Sequence, residues 1–332
     1  DLKVLPMHHE QAATFAAEAD ARVSGKPGIV HVTAGPGGTN TITGVASAYV
    51  DSIPLIVIAG QVQRSTMIKG DKMHTRRPHG ARQLGVNELD MVEIVKPVTK
   101  YAATVFEPSM IRHHLERAYA EATMGRPGPV FIEIPLDVQN ADIDVENYAP
   151  IDQRMFVKEH TYVANDDQIA RCVEMLNTAS RPVLIIGNGV HLSGAEEDLN
   201  RLVDALQIPV ISSWNASDIV SNDHPCYIGR IGLFGDRASN FAVQNADLIL
   251  AIGTRLSLPQ IGHDARKFAP NAKKIVVDID FAEATKDWLK TDLPICADAK
   301  EFIKALLAAG PIRARGWVSP IPWGAHSWLD QC

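Results

Sequence analysis

The sequence predicts an α/β protein with two doubly wound domains, each built on a parallel sheet. Short apolar runs rich in Val and Ile, at 28–33, 54–60 and 130–135, alternate with segments of helical composition. The alternation resumes after a polar stretch at about 138–165. Strands that alternate with helices favour parallel pairing with helices on both sheet faces. A length of 332 residues is ordinary for two such domains.

The first half is expected to open with a strand at Leu2–Leu5 and a helix at 12–23, which Gly25 ends. The other predicted strands are 28–33, 54–60, 98–103 and 130–135, and the other predicted helices are 41–50 and 108–124. The polar stretch from Gln61 to Asn87, which includes a basic loop from Lys69 to Arg82, has two interpretations. It is either a functional loop or a solvated surface.

The second half is expected to contain strands at 182–187, 209–212, 246–253 and 274–280. Helices are predicted at 166–179, 196–206, 237–245, 283–288 and 299–309. The domain boundaries that follow are a first domain at 1–148, a linker at 149–165, a Rossmann-like domain at 166–310 and a further linker at 311–332.

Composition excludes several classes of protein. The net charge is -7 and no basic block is present, so nucleic acid is not expected as a partner. No apolar run reaches membrane-spanning length, so no membrane association is expected. The four cysteines form no CxxC pair, which argues against a zinc site or a redox pair and favours a reducing, cytoplasmic compartment. No metal ligands are assigned to this chain.

Glu10 is the first candidate functional residue. It lies between the predicted strand at Leu2–Leu5 and the helix that follows, so we expect it at the carboxyl end of a strand. Ligands in open α/β sheets bind at such ends, where the pKa of a carboxylate is readily tuned for proton transfer. The alternative is a first-turn acid that the helix dipole favours, and spacing alone favours that alternative.

A glycine-rich turn follows the strand at 28–33. It reads Ala-Gly-Pro-Gly-Gly-Thr-Asn at 34–40 and leads into a helix, an arrangement in which backbone amides approach a ligand closely. It matches neither GxGxxG nor a P-loop, which argues against a dehydrogenase. A tight turn that requires positive φ explains the glycines equally well.

Strand ends in the second half also carry candidate residues. A nucleotide is expected at the carboxyl ends of the strands of such a sheet. The residues at those ends are Gly187, Gly189, Gly253, Arg255, Asp278 and Asp280. Helix capping is the alternative for the acidic pair, and the pattern alone slightly favours it.

Several motifs, in matching order, resemble one known family from about residue 1 to about residue 308. In the first half they are HEQAA at 9–13, GPG with Thr-Asn at 35–40, PLIVIAGQ at 54–61 and GRPGPV at 125–130. In the second half they are RASN at 237–240, ADL at 246–248, GTR at 253–255, FAPNA at 268–272 and DID at 278–280. The chain is therefore similar to thiamine-diphosphate enzymes of the acetolactate synthase group, with the pyrimidine-binding domain followed by the central domain.

The resemblance implies a function and a set of site residues. In that family the Glu of the HEQ motif contacts the aminopyrimidine of thiamine diphosphate and helps to activate it, which assigns a catalytic role to Glu10. The cofactor-binding residues implied are Gly35, Pro36, Asn40 and Asn87 at thiamine diphosphate, and Arg126, Gly187, Gly189, Gly253, Arg255, Asp278 and Asp280 for FAD or an ADP-type nucleotide. The implied substrate is a 2-oxo acid such as pyruvate, in a homodimer or homotetramer.

The chain departs from the family pattern at four places. Asn87 stands where the family has Gln, and His8 where it has Arg. The segment 254–260 replaces a run of two Asp and an Arg. No Gly-Asp-Gly occurs, the motif that holds Mg²⁺ and the diphosphate in the family. We therefore expect a piece of a longer enzyme, without the diphosphate-binding domain and without the first strand and helix of the pyrimidine domain.

Two other functions stay open. A 2-hydroxyacyl-CoA lyase or an oxalyl-CoA decarboxylase relative would use the central domain to bind an ADP moiety. A non-catalytic nucleotide-binding module would use that domain alone, and Glu10 would then be without function.

Overall fold

The computed structural model describes residues 3–68, 81–148, 150–152 and 162–314, in two compact units at Asp1–His160 and Thr161–Cys332. Most of the predicted basic loop, of the linker at 149–165 and of the segment 311–332 lies outside those ranges. No helix within them is long and apolar enough to cross a membrane.

From residue 3 onward, the first element of the first unit is a helix, not a strand. Helix α1 (Glu10–Ser24) is capped by the side chain of His9, which accepts a hydrogen bond from the backbone N–H of Gln11. Gly25, with φ of 68°, ends it as predicted. The predicted strand at Leu2–Leu5 is wrong for the residues that can be described, because Val4 is 77% exposed and Leu5 is 68% exposed. A run so short has no buried face to hold it in a sheet.

The remaining elements of this unit follow in alternation. They are β1 (Gly28–Val32), α2 (Pro36–Asn40), α3 (Ile42–Asp51), β2 (Leu55–Gln61), α4 (Met91–Val95), β3 (Tyr101–Thr104), α5 (Ile111–Thr123), β4 (Pro129–Pro135) and α6 (Leu136–Gln139). Their four described strands pair in parallel in the order β1-β2-β4-β3. Helix α5 covers the face that carries Ile56, Val130 and Ile132.

The second unit holds a larger parallel sheet. Its elements are α7 (Asp166–Thr178), β5 (Pro182–Ile186), α8 (Gly189–Leu192), α9 (Glu196–Leu206), β6 (Val210–Ser212), β7 (Tyr227–Arg230), α10 (Arg237–Asn245), β8 (Leu248–Ile252), α11 (Leu258–Ile261), β9 (Lys273–Asp278), α12 (Phe281–Ala284), β10 (Leu293–Cys296) and α13 (Ala299–Ala308). The described strand order is β7-β6-β5-β8-β9-β10. Apolar clusters line both faces, so the predicted doubly wound α/β fold is confirmed.

Three predictions for this unit need correction. Strands β7 and β10 were not expected, because they are the edge strands of the described sheet and their sequences are broken by Gly229 and Pro294. The helix predicted at 283–288 is instead the single turn α12, which Asp280 caps. Edge strands lack the continuous apolar run that identifies a central parallel strand.

The strand order creates one special position in this sheet. The chain leaves β5 toward β6 on one side, and leaves β8 toward β9 on the other. The carboxyl ends of β5 and β8 therefore border a crevice, which is where open α/β sheets bind ligands.

Candidate cofactor sites

Glu10 is the first residue of α1, and its carboxylate faces the glycine-rich turn. The side-chain Nδ2 of Asn40 donates a hydrogen bond of 3.0 Å to Oε2 of Glu10. This bond, supported by the backbone of the helix N-terminus, holds the pKa of Glu10 below its usual range. Glu10 is therefore a negatively charged acceptor at neutral pH.

The glycine-rich turn lacks side chains where it approaches Glu10 and Asn87. Gly35 has φ of 58°, and a Cβ on it would collide with the carbonyl oxygen of Asn87. A Cβ on Gly37 would lie 2.7 Å from Cγ2 of Thr33 and 3.6 Å from Oε1 of Glu10. The positive φ of Gly35 agrees with the tight-turn explanation of these glycines, and the approach of a ligand to this backbone stays a prediction.

Asn87 reaches the same turn from a distant part of the chain. Its φ of 63° is left-handed, which Asn tolerates better than most residues. Pro36 follows Gly35 as the first residue of α2, and Asn40 is the last residue of that helix. The structure therefore brings together five predicted site residues. These are Glu10, Gly35, Pro36, Asn40 and Asn87.

Arg126 lies elsewhere in the first unit. It precedes β4, and its Nε donates a 2.8 Å hydrogen bond to Oγ of Ser52, which precedes β2. Because the strands are parallel, this is the amino edge of the sheet, whereas the turn at Gly35 follows the carboxyl end of β1. The structure does not bring Arg126 to Glu10.

Three predicted glycines meet at the crevice of the second unit. The backbone N–H of Gly189 donates to the carbonyl of Gly253 across 2.9 Å, and a Cβ on either residue would press on the backbone of the other. A Cβ on Gly187 would collide with Gly253 and Thr254. The loops after β5 and β8 therefore pack backbone against backbone, which only glycine allows at these positions.

The predicted charged residues of this unit have partners within the chain. Nε of Arg255 donates to Oε1 of Glu283 across 2.7 Å. Oδ1 of Asp278 accepts a hydrogen bond from the backbone N–H of Asp280. Oδ1 of Asp280 in turn accepts a hydrogen bond from the backbone N–H of Ala282. Asp280 thus performs the capping role that was its alternative interpretation.

Two charged residues near Arg255 were missed. Although burial raises the pKa of Glu283, Lys286 and Arg255 pull it below its usual range, and Lys286 also donates to the carbonyl of Arg255. Burial lowers the pKa of Lys286. The spacing of Glu283 and Lys286, three residues apart in a charged turn, was the available signal.

A buried pair in the first unit was also missed. Glu133, in β4, accepts hydrogen bonds of 2.8 Å from both Gln61 and Thr104. Burial raises the pKa of Glu133 to about 7. The two hydrogen bonds lower this pKa, and the negative charges of Asp90 and Glu88 raise it further. One acidic residue inside the apolar run 130–135 was the only signal.

Comparison with known proteins identifies the class of protein to which this fold belongs. Residues 1–80 match the N-terminal TPP binding domain of thiamine pyrophosphate enzymes, and residues 169–306 match their central domain. Thiamine pyrophosphate and thiamine diphosphate are the same cofactor. The chain belongs to the thiamine pyrophosphate enzyme family.

Relatives within that family carry a more particular name. The chain is 39% identical over 311 residues to a probable acetolactate synthase large subunit of Methanocaldococcus jannaschii, covering 93% of this chain and 50% of that protein. It is 35% identical over 315 residues to the acetolactate synthase large subunit of Lactococcus lactis, covering 94% and 52% respectively. It is 35% identical over 301 residues to the acetolactate synthase isozyme 3 large subunit of Escherichia coli, covering 91% and 50%. The chain spans about half the length of these relatives.

The residues around Glu10 fit the pyrimidine end of thiamine diphosphate. An ionised carboxylate suits a ring N–H, and the absence of a side chain at Gly37 leaves room beside Oε1. Asn40 fixes the other oxygen. Among the residues that can be described, no group of three or more His, Cys, Asp or Glu side chains could hold a metal ion.

Proposed function

We propose that this chain is part of an acetolactate-synthase-like enzyme, which uses thiamine diphosphate to decarboxylate a 2-oxo acid such as pyruvate and to transfer the remaining fragment. The observation that carries the proposal is the hydrogen bond between Asn40 and Glu10 beside the glycine-rich turn. The names of the relatives support the choice of reaction.

Glu10 performs the acid–base part of this function. Its carboxylate would accept a hydrogen bond from the protonated ring nitrogen of the aminopyrimidine, so Glu10 would hold a proton at that nitrogen. Asn40 holds the carboxylate in place and keeps it charged. When bound, thiamine diphosphate supplies the nucleophilic carbon and the electron sink for decarboxylation.

The other cofactors belong to the same proposal. Mg²⁺ would accompany the diphosphate and be held by another part of the complete protein. FAD or an ADP-type nucleotide would occupy the crevice at Gly187, Gly189 and Gly253, with Arg255 near its phosphates. The close backbone packing at those glycines supports this placement.

The proposal extends to the assembly and the location of the protein. A homodimer or homotetramer follows from the family resemblance. A cytoplasmic location agrees with the free thiols of Cys172, Cys226 and Cys296, since a reducing compartment keeps thiols unpaired. The proposed domain boundaries at 148 and 166 lie on either side of the point at which the chain divides into its two units.

The test is Glu10→Gln in the complete protein that contains this chain, with pyruvate, Mg²⁺ and thiamine diphosphate. We expect a loss of turnover of at least about 100-fold, the contribution typical of a positioned acid or base. Asp20→Asn is the matched control, since Asp20 is an exposed acid on the same helix. Unchanged turnover in the Glu10 variant would contradict the proposal and favour a non-catalytic module. Turnover of acyl-CoA donors in place of pyruvate would favour the acyl-CoA alternatives.

A further inference from the structure

A buried carboxylate and a buried amide lie on one face of the first sheet, near the carboxyl ends of its strands. Glu133 is 1% exposed and Gln61 is 4% exposed. The register places Glu133 beside Thr104 on one side and Ala59 on the other. Gln61 follows Ala59 by two positions in β2, so its side chain leaves the same face.

Hydrogen bonds connect this pair to Leu89. Thr104 donates to Oε2 of Glu133, and Nε2 of Gln61 donates to Oε1 of Glu133. The same Nε2 donates to the carbonyl of Leu89 across 2.9 Å, while the backbone N–H of Val62 donates to Oε1 of Gln61. Since the amide oxygen accepts from Val62, the amide nitrogen must face Glu133 and Leu89.

Leu89 lies in the middle of a segment that touches the glycine-rich turn at both ends. At residue 87, the carbonyl of Asn87 packs against Gly35. At residue 91, the buried side chain of Met91 approaches within 3.1 Å of the position that a Cβ on Gly38 would take. The link from Gln61 to Leu89 therefore holds the centre of a segment that presses on the turn.

We propose that Gln61 and Glu133 are positioning residues, which hold the segment 87–91 against the glycine-rich turn and so place Asn87 at the cofactor. This inference rests on the proposed function for the identity of the cofactor that Asn87 would contact. Loss of Gln61 would leave the Leu89 carbonyl and one oxygen of Glu133 without their donor. A buried polar group without a partner is costly, so the segment would open or shift.

The first test is hydrogen exchange of the complete protein, measured by mass spectrometry without cofactor. Gln61→Met keeps a side chain of similar size and removes the donor. We expect the amides of 84–91 to exchange about tenfold faster, because the hydrogen bond that holds Leu89 is lost together with the other bonds of the Gln61 amide. Thr104→Val is the matched control, because it removes a hydrogen bond from Glu133 but leaves the link to Leu89. Equal exchange in the Gln61 variant and the wild type, or an equal acceleration in the Thr104 variant, would overturn the inference.

The second test separates positioning from general loss of stability. In Glu133→Gln, the new side chain can still accept a hydrogen bond from Gln61, so the amides of 84–91 should exchange at the wild-type rate. In Glu133→Ala that acceptor is lost, so the same amides should exchange faster. The dissociation constant for thiamine diphosphate with Mg²⁺ should rise about tenfold in Gln61→Met. Fast exchange with unchanged cofactor affinity in that variant would overturn the inference. Unchanged cofactor affinity and turnover in Glu10→Gln would instead overturn the proposed function.

Discussion

The side-chain amide of Asn40 donates a hydrogen bond of 3.0 Å to the carboxylate of Glu10, which joins the end of the short helix α2 to the start of helix α1. The carboxylate is thereby both oriented and kept ionised. Only one of its oxygens is engaged by Asn40, and the other lies beside the bare Cα of Gly37. This geometry leaves Oε1 of Glu10 as an acceptor that faces the glycine-rich turn.

Removal of that amide should change the titration of Glu10. Asn40→Ala deletes the donor that does most to lower the pKa of Glu10, so the pKa should rise toward its usual value. NMR titration of the Glu10 carboxyl group checks this directly. Turnover should fall about tenfold, the effect of one hydrogen bond to a charged group.

The same change should have no further effect on turnover once Glu10 has been replaced. In Glu10→Gln, the Asn40→Ala substitution removes a partner that no longer has a charged group to hold. Additive losses in the double variant would show that Asn40 acts independently of Glu10.

Gly35→Ala should destabilise the first unit more than Gly25→Ala does. Gly25 is left-handed, with φ of 68° and ψ of 11°, a conformation that costs Ala about 1–2 kcal/mol. Gly35, with φ of 58° and ψ of -110°, lies outside the left-handed helical region, so Ala is strained there as well. A Cβ on Gly25 has open space, whereas one on Gly35 meets Asn87. The difference in free energy of unfolding, measured by urea titration, therefore reports the backbone conformation of Gly35 together with its contact with Asn87. Equal losses in the two variants would contradict this prediction.

Much of this fold follows from sequence, for reasons that particular residues show. Gly25 ends α1, and the central strands β5 and β8 are apolar throughout, so local patterns identify them. Pairing with a neighbouring strand, β6 for β7 and β9 for β10, is what defines the edge strands, and the sequence does not reveal it.

The site was predictable only in part. Glu10 and the glycine turn carry a motif, but the contact between Asn87 and Gly35 joins remote segments. Likewise, nothing local to Glu133 shows that Gln61 and Thr104 surround it. Such contacts are set by the register of the sheet, and register is a property of the folded chain.

Arg255→Gln should weaken the binding of ADP to the second unit. The guanidinium group lies by the crevice and is already oriented by Glu283. Calorimetry should show about tenfold weaker binding, since a hydrogen bond to a charged group is lost. Arg266→Gln is the control, because Arg266 is an exposed arginine that pairs with Asp264. Equal affinity in both variants would place the nucleotide elsewhere.

The pKa of Glu133 makes the stability of the first unit depend on pH. In the folded chain the pKa is raised to about 7, from a reference value of 4.5. Between those values the folded state binds more protons than the unfolded state, so stability falls as pH rises through that window and is constant above it. The slope contributed by one such group reaches at most about 1.4 kcal/mol per pH unit.

Glu133→Gln should remove this dependence, because the amide does not titrate. Its free energy of unfolding, measured by urea titration from pH 4 to 8, should fall less steeply than that of the wild type between about pH 4.5 and 7. The free energy of unfolding of the Gln variant should therefore increase relative to that of the wild type as pH rises. Parallel curves for the wild type and the Glu133 variant would show that Glu133 is ionised throughout this range, and that its two hydrogen bonds outweigh its burial.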